Sequence, residues 1–171
     1  MMDPKTPTES QASLSQLVLP NDTNMINNLM GGALLNKMDI VAGIAAQNHS
    51  NLLAVTASVD NVSFKRSIPL GSIVTVVAKV TRAFNTSMEV KLTVTAKNIP
   101  QKICEFVANE AFYTFVAVND DGVPSPVPPI LPENQEESEL FTGALKRREL
   151  RLVLAQKITL DDTTELKKIL I

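Results

Sequence analysis

The 171-residue chain has no tryptophan, one cysteine, one histidine and one tyrosine. No apolar run approaches the length of about eighteen residues that a membrane-crossing helix needs. Each scarcity excludes something. Cys104 alone cannot close an internal disulfide, which fits a reducing compartment. One Cys and one His, without a carboxylate cluster at helical spacing, are too few to assemble a metal site. There is no Ser-His-Asp pattern and no serine elbow, so the hydrolytic route of the α/β-type enzymes is excluded. The first ten residues carry no apolar core of the signal-peptide kind, so export is not expected. A net charge of -2 argues against a broad nucleic-acid surface.

What is present is apolar: a hydrophobic content of 44% supports one sizeable core, hence one domain with tails. Residues 33–47 read as a helix that is apolar almost all round, the mark of a helix buried on most of its surface. Its only ionisable residues are Lys37 and Asp39. Helical spacing brings Leu35, Asn36, Ala42 and Gly43 to the side of Asp39, so its carboxylate is expected among apolar groups. Burying an unpaired carboxylate costs several kcal/mol or raises its pKa by up to roughly 3–5 units, so a fold that keeps one has a compensating reason. Catalysis is the leading reason. Asn24 in a polar loop and the pair Gly31-Gly32 at the helix entrance add an amide and bare N–H donors. The structural alternative is that the glycines ease a turn and Asp39 pairs with a cation at an interface.

Beyond the helix the periodicity is that of strands. Met88, Val90, Leu92, Val94 and Ala96 alternate with Ser87, Glu89, Lys91, Thr93 and Thr95, predicting one buried and one wet face. Residues 51–58, 72–83 and 103–118 are further candidates, the last apolar on both sides like a central strand. Cys104 is expected as a buried residue of that strand, and Glu110 as a partner in an interface ion pair. A helix with so little polar surface is satisfied by a curved antiparallel sheet. Prolines between 124 and 132 predict an extended connector, after which helical periodicity returns from Glu136. A last short helix is expected within residues 159–171, begun by Asp161 or Asp162.

The run from Asn24 to Asp39, with Val55 to Phe64, Ile68-Pro-Leu-Gly71, Asn85 to Val90 and Phe115 to Gly122, resembles the hotdog-fold acyl-CoA thioesterases, and within them the cytosolic acyl-CoA hydrolase branch. The resemblance covers roughly residues 14–132. It implies an α+β fold with a hotdog domain over 13–132; the residues before it (1–12) are expected to be a flexible N-terminus, and the periodicity after the prolines makes 133–171 a C-terminal helical tail. It also implies hydrolysis of acyl-CoA to fatty acid and CoA in the cytoplasm, with no cofactor beyond the CoA of substrate and product; charge and hydropathy, as above, predict no nucleic-acid partner and no membrane span. Its catalytic pair matches Asn24 and Asp39, fifteen positions apart. A homodimer is implied, in this branch often a trimer of dimers, with the Asn and Asp of one site from opposite protomers. The loop departs from the family in lacking a glycine over Met25–Asn28, and Asn119 replaces the usual aspartate of a later turn.

Thioester hydrolysis needs an activated water, a group to take its proton and donors for the developing oxyanion. Asp39 suits a general base or a nucleophile forming a mixed anhydride, and the sequence leaves both open. Asn24 can accept from water and donate to a carbonyl, while the Gly31 and Gly32 amides suit the oxyanion. Thr86 and Ser87 match the family's CoA-facing segment. Arg147, Arg148 and Arg151 form a basic cluster able to grip phosphate, and Lys65 with Arg66 a second basic pair. His49, just past the helix, is expected at a helix end or surface rather than in catalysis. Two other functions fit a hotdog fold. A dehydratase or hydratase on acyl thioesters would enlist a histidine, and the helix has none. An acyl-CoA sensor would need an output domain, and the tail is too short and too lightly basic for a DNA-binding unit.

Overall fold

In the computed structural model, which describes residues 2–60, 62–64 and 66–170, the apolar stretch forms the long helix α2 (Gly31–Ser50). Asn51 ends it in a left-handed conformation (φ 55°), a geometry asparagine tolerates, with its N–H on the Gln47 carbonyl at 2.8 Å. Five strands follow the fold's antiparallel rule throughout: β1 (Ala12–Leu17), β2 (Leu53–Asp60), β3 (Ile73–Ala83), β4 (Ser87–Asn98) and β5 (Ile103–Val118), in the order β1-β3-β4-β5-β2. The sheet wraps α2 from one side.

Leu34, Met38, Val41, Ala42, Ala45 and Ala46 recur at helical spacing and are all buried. They meet the inward row of β4, where Met88, Val90, Leu92, Val94 and Ala96 are at most 1% exposed. Each large apolar side chain so buried contributes roughly 1.5–3 kcal/mol relative to exposure. The helix is nevertheless not covered all round. Ile40 and Ile44 remain about half exposed on its other side, beside the edge strand β2 with its exposed Leu53, Val55 and Val59.

Alternation predicts a wet outward row on β4, but that row is partly covered. Helix α3 (Gln135–Leu154) lies across that face, with Ala144 buried against it, and Glu89 beneath has no exposure at all. Cys104 is exposed rather than buried, because β5 pairs with β2 only from Phe112 onward and its first half overhangs. Glu110, also exposed, pairs with Lys91 across the β4–β5 ladder at 3.4 Å.

The N-terminal residues, expected to be flexible, are tied down. Thr6 caps the short helix α1 (Pro7–Ser10), Ser10 is buried, and the Lys5 backbone bonds Pro129 and Leu131 of the proline connector. His49 lies under that connector with no exposure, its Nε2 2.7 Å from the Pro128 carbonyl, rather than at the surface. The C-terminal segment returns through a 3-10 turn (Leu160–Asp162) and α4 (Lys167–Leu170). Lys65, one of the second basic pair, is outside the described residues; Arg66 stacks over Phe106, 3.8 Å from the ring centre.

Candidate active site

The loop before α2 is built around Asn24. Its side-chain oxygen accepts the N–H groups of Ile26 and Asn28, each at 3.1 Å, and its backbone N–H donates to the Asn28 carbonyl at 2.8 Å. Asn27 takes φ 57°, the left-handed position that a glycine would fill, so the missing glycine is replaced by the next most tolerant residue type. The loop is held to the segment after β2 by Leu29 N–H on the Ile68 carbonyl and Leu70 N–H on the Asn27 carbonyl, both 2.8 Å. The consequence is specific. With its oxygen committed to the loop, Asn24 keeps its NH2 as a donor, rather than both accepting and donating as expected.

Gly31 and Gly32 are the first residues of α2. The preceding Met30 offers no side-chain acceptor and the first turn holds no acid, so their N–H groups meet no acceptor among the described residues. A Cβ on Gly31 would stand 3.2 Å from the Phe64 ring, whereas Gly32 faces open space.

Asp39 is half-buried, not sealed among apolar groups, because the side of α2 that carries it is the side the sheet leaves uncovered. Its Oδ1 accepts a hydrogen bond of 2.7 Å from the Thr56 hydroxyl of β2. Lys37 does not serve it; it pairs with Asp22 at 3.5 Å. Across the helix–sheet layer Tyr113 is 1% exposed, and burial, with the Asp39 charge adding to it, pushes its phenol up to about 12. No described contact joins Asn24 to Asp39 within the chain.

Thr86 and Ser87 turn the chain from β3 into β4. Their carbonyls accept from Ala117 and Phe84 at 2.9 and 2.8 Å, while their hydroxyls have no partner among the described residues. The three arginines do not converge. Arg147 and Arg151, one helical turn apart, face the sheet, where Arg147 grips Glu89 and Arg151 pairs with Asp60. Arg148 points to another side and stacks over Phe84, 4.3 Å from the ring centre, beside the Thr86–Ser87 turn. The expected phosphate cluster is thus two structural ion pairs and one cation free of carboxylates among the described residues.

A family model of the thioesterase superfamily matches residues 26–103. An acyl-CoA thioester hydrolase of Bacillus subtilis, YkhA, is 37% identical over 139 residues, 81% of this chain and 80% of that protein. The chain belongs to the acyl-CoA thioesterase family. The cytosolic acyl coenzyme A thioester hydrolase of mouse is 37% identical over 140 residues, 81% of this chain but only 37% of its own length. The fold agrees with that of a hexameric acyl-CoA thioesterase (TM-score 0.86, 36% identity, covering 90% of this chain and 98% of that one). It agrees also with the acyl-CoA hydrolase of Staphylococcus aureus, solved with butyryl coenzyme A (TM-score 0.81, 33% identity, covering 90% and 94%). That enzyme has also been solved with an aspartate, an asparagine or a threonine replaced by alanine.

In this thioesterase-family chain, Thr56, which holds Asp39, is marked by nothing in the sequence. A threonine in a strand is ordinary. Only register gives Thr56 away: it is the cross-strand partner of Phe115, on the face turned to α2, where a hydroxyl meets the helix carboxylate.

Proposed function

We propose that the chain hydrolyses acyl-CoA thioesters to fatty acid and free CoA. The observation that carries this is Asp39 with one oxygen held by Thr56 and the other free, fifteen positions after Asn24 and seventeen before Thr56. The three residues replaced by alanine in the Staphylococcus aureus hydrolase keep the same order and the same two spacings.

Asp39 takes a proton from water, or attacks the carbonyl itself. The Asn24 NH2 and the Gly31 and Gly32 amides, at the positive end of α2, donate to the oxygen that becomes negative. Thr86, Ser87 and Arg148 form the side toward CoA, the hydroxyls suiting pantetheine amides and the guanidinium a phosphate. The reaction uses water and these groups, without a cofactor.

The working unit is a homodimer joined along the free edge of β2, assembled as a trimer of dimers, with Asn24 and Asp39 of one site from opposite protomers. The exposed Ile40, Ile44, Leu53, Val55 and Val59 around Asp39 support a partner there, as does the hexameric state of a solved relative. The named cytosolic relative supports a cytoplasmic location. The test is thiol release from acyl-CoAs of several chain lengths by the purified chain. Turnover that Asp39→Asn abolishes is the expected result, and no release from any of them refutes the proposal.

A further inference from the structure

Tyr113 is the only tyrosine of the chain and one of its most deeply buried side chains. Its position relative to Asp39 follows from three contacts. Phe115, two residues along β5 and therefore on the same face, closes on Gly43, where an added Cβ would stand 3.5 Å from its ring. Asp39 lies one helical turn before Gly43, toward the helix N-terminus, and two strand residues cover about the same rise as that turn. Thr56, which donates to Asp39, is the cross-strand partner of Phe115, and Val59 that of Tyr113. The helix contact puts Asp39 level with Tyr113 and the Thr56 contact puts it level with Phe115, so the stretch of β5 from Tyr113 to Phe115 is the part that faces Asp39. Asp39 is also close enough for its charge to act on the phenol.

Two polar groups there have nothing to bond. Among the described residues no group meets the Tyr113 hydroxyl, and none meets Asp39 Oδ2, since Thr56 engages Oδ1 alone. The Tyr113 oxygen is not among the fully buried partnerless atoms of the described residues, so water can reach it, and a water is held where two or more polar groups converge.

We infer that Tyr113 is a further residue of the hydrolytic site, its hydroxyl and Asp39 Oδ2 together holding the attacking water while Thr56 fixes Oδ1. The inference rests on the hydrolase reading above, taken with Asp39 as base. The water oxygen bonds the thioester carbonyl carbon as its proton passes to Oδ2. Collapse of the tetrahedral oxyanion breaks the C–S bond, and the thiolate recovers the proton from Asp39. Tyr113 keeps its own proton throughout, as a phenol harder to ionise than usual does. Of the carboxylates and amines on α2, β2 and β5, Lys37 pairs with Asp22, Asp60 with Arg151 and Glu110 with Lys91, while Glu105 accepts from Thr95.

The experiment is steady-state thiol release by the full-length chain and its Tyr113→Phe variant, which keeps the ring and loses the donor. Expected is a kcat lower by about tenfold, the scale of one hydrogen bond, with KM within about twofold. In an Asp39→Asn background the same change should cost nothing further, since both groups act on one water. Wild-type kcat in Tyr113→Phe overturns the inference, as does an additive loss in the double variant, the signature of packing alone. If Tyr113→Phe fails to fold, Tyr113→Met carries the same comparison with the same outcomes. When the wild-type chain is active and Asp39→Asn is not, Tyr113 alone is being judged; a wild-type chain that releases no CoA removes both readings.

Discussion

Arg147 holds Glu89 by two parallel hydrogen bonds, Nε to Oε2 at 3.0 Å and Nη2 to Oε1 at 2.8 Å, at a place where Glu89 has no solvent exposure. The Thr81 hydroxyl donates to the same Oε1 at 2.7 Å, and Thr81 is available there because it follows the inward-facing Val80 and so alternates onto the outer face. The guanidinium in turn lies over Phe112, 3.9 Å from the ring centre, and donates to the Leu140 carbonyl at 2.8 Å. This network pins α3 to the outer face of the sheet, opposite the face that carries α2.

Removing one partner of such a pair leaves a buried charge uncompensated. Arg147→Ala is expected to destabilise the chain by about 3–5 kcal/mol in urea unfolding, whereas Arg147→Met with Glu89→Leu recovers most of that loss. KM for acyl-CoA in the folded Arg147→Ala protein should stay unchanged. A raised KM with unaltered stability would return Arg147 to the role of a phosphate contact.

The contrast between Glu89 and Asp39 shows which parts of the fold are legible in the residues. Asp39 stands out because a carboxylate inside an apolar helix breaks a local pattern. Glu89 breaks none: it occupies a position in β4 where period-two alternation puts polar residues, and only the packing of α3 turns that face into an interior. The inward rows, β5 and the proline connector follow from local pattern. The overhang that exposes Cys104, the burial of His49 and the pairing of Thr56 with Asp39 depend on register and on which elements end where, and no local signal encodes these.

Asp39→Asn is expected to lower kcat by about 10²–10⁴ with the fold intact, the usual cost of a lost general base. Asn24→Ala should lose about 10², the scale of one oxyanion donor, since its NH2 is the free end of that side chain. If the site is shared between protomers, mixing the two inactive chains restores about one working site per mixed dimer. Thiol release after verified subunit exchange measures this, and the absence of recovery places both residues in one protomer's site.

Asn27, at φ 57°, decides how the loop presents Asn24. Asn27→Gly should leave stability and kcat nearly unchanged, because glycine adopts this conformation freely. Asn27→Val should cost about 1–2 kcal/mol, and kcat should fall further than KM rises as the Asn24 amide shifts. Thermal unfolding and steady-state kinetics of the pair check it. A valine variant with wild-type turnover would mean that the loop geometry does not govern catalysis.

His49 gives the chain a pH dependence of its own. Its Nε2–H donates to the Pro128 carbonyl, Nδ1 has no partner among the described residues, and burial lowers its pKa, outweighing the support of that carbonyl for the charged ring. The charges that face it are Lys5, which lowers it further, and Glu9, which raises it. The folded state therefore binds this proton less readily than the unfolded chain, whose histidine titrates near about 6.5. Stability is complete above that value and falls as pH drops below it, because acid draws the protein toward the state that accepts the proton. The interval from about pH 7 down to about pH 5 isolates this effect, since carboxylates of ordinary pKa, near about 4, remain ionised there. The melting temperature of the wild-type chain is expected to fall across that interval. His49→Asn, although less stable throughout from lost packing, should show a markedly shallower slope. Equal slopes in the two proteins would assign the acid sensitivity to some other group.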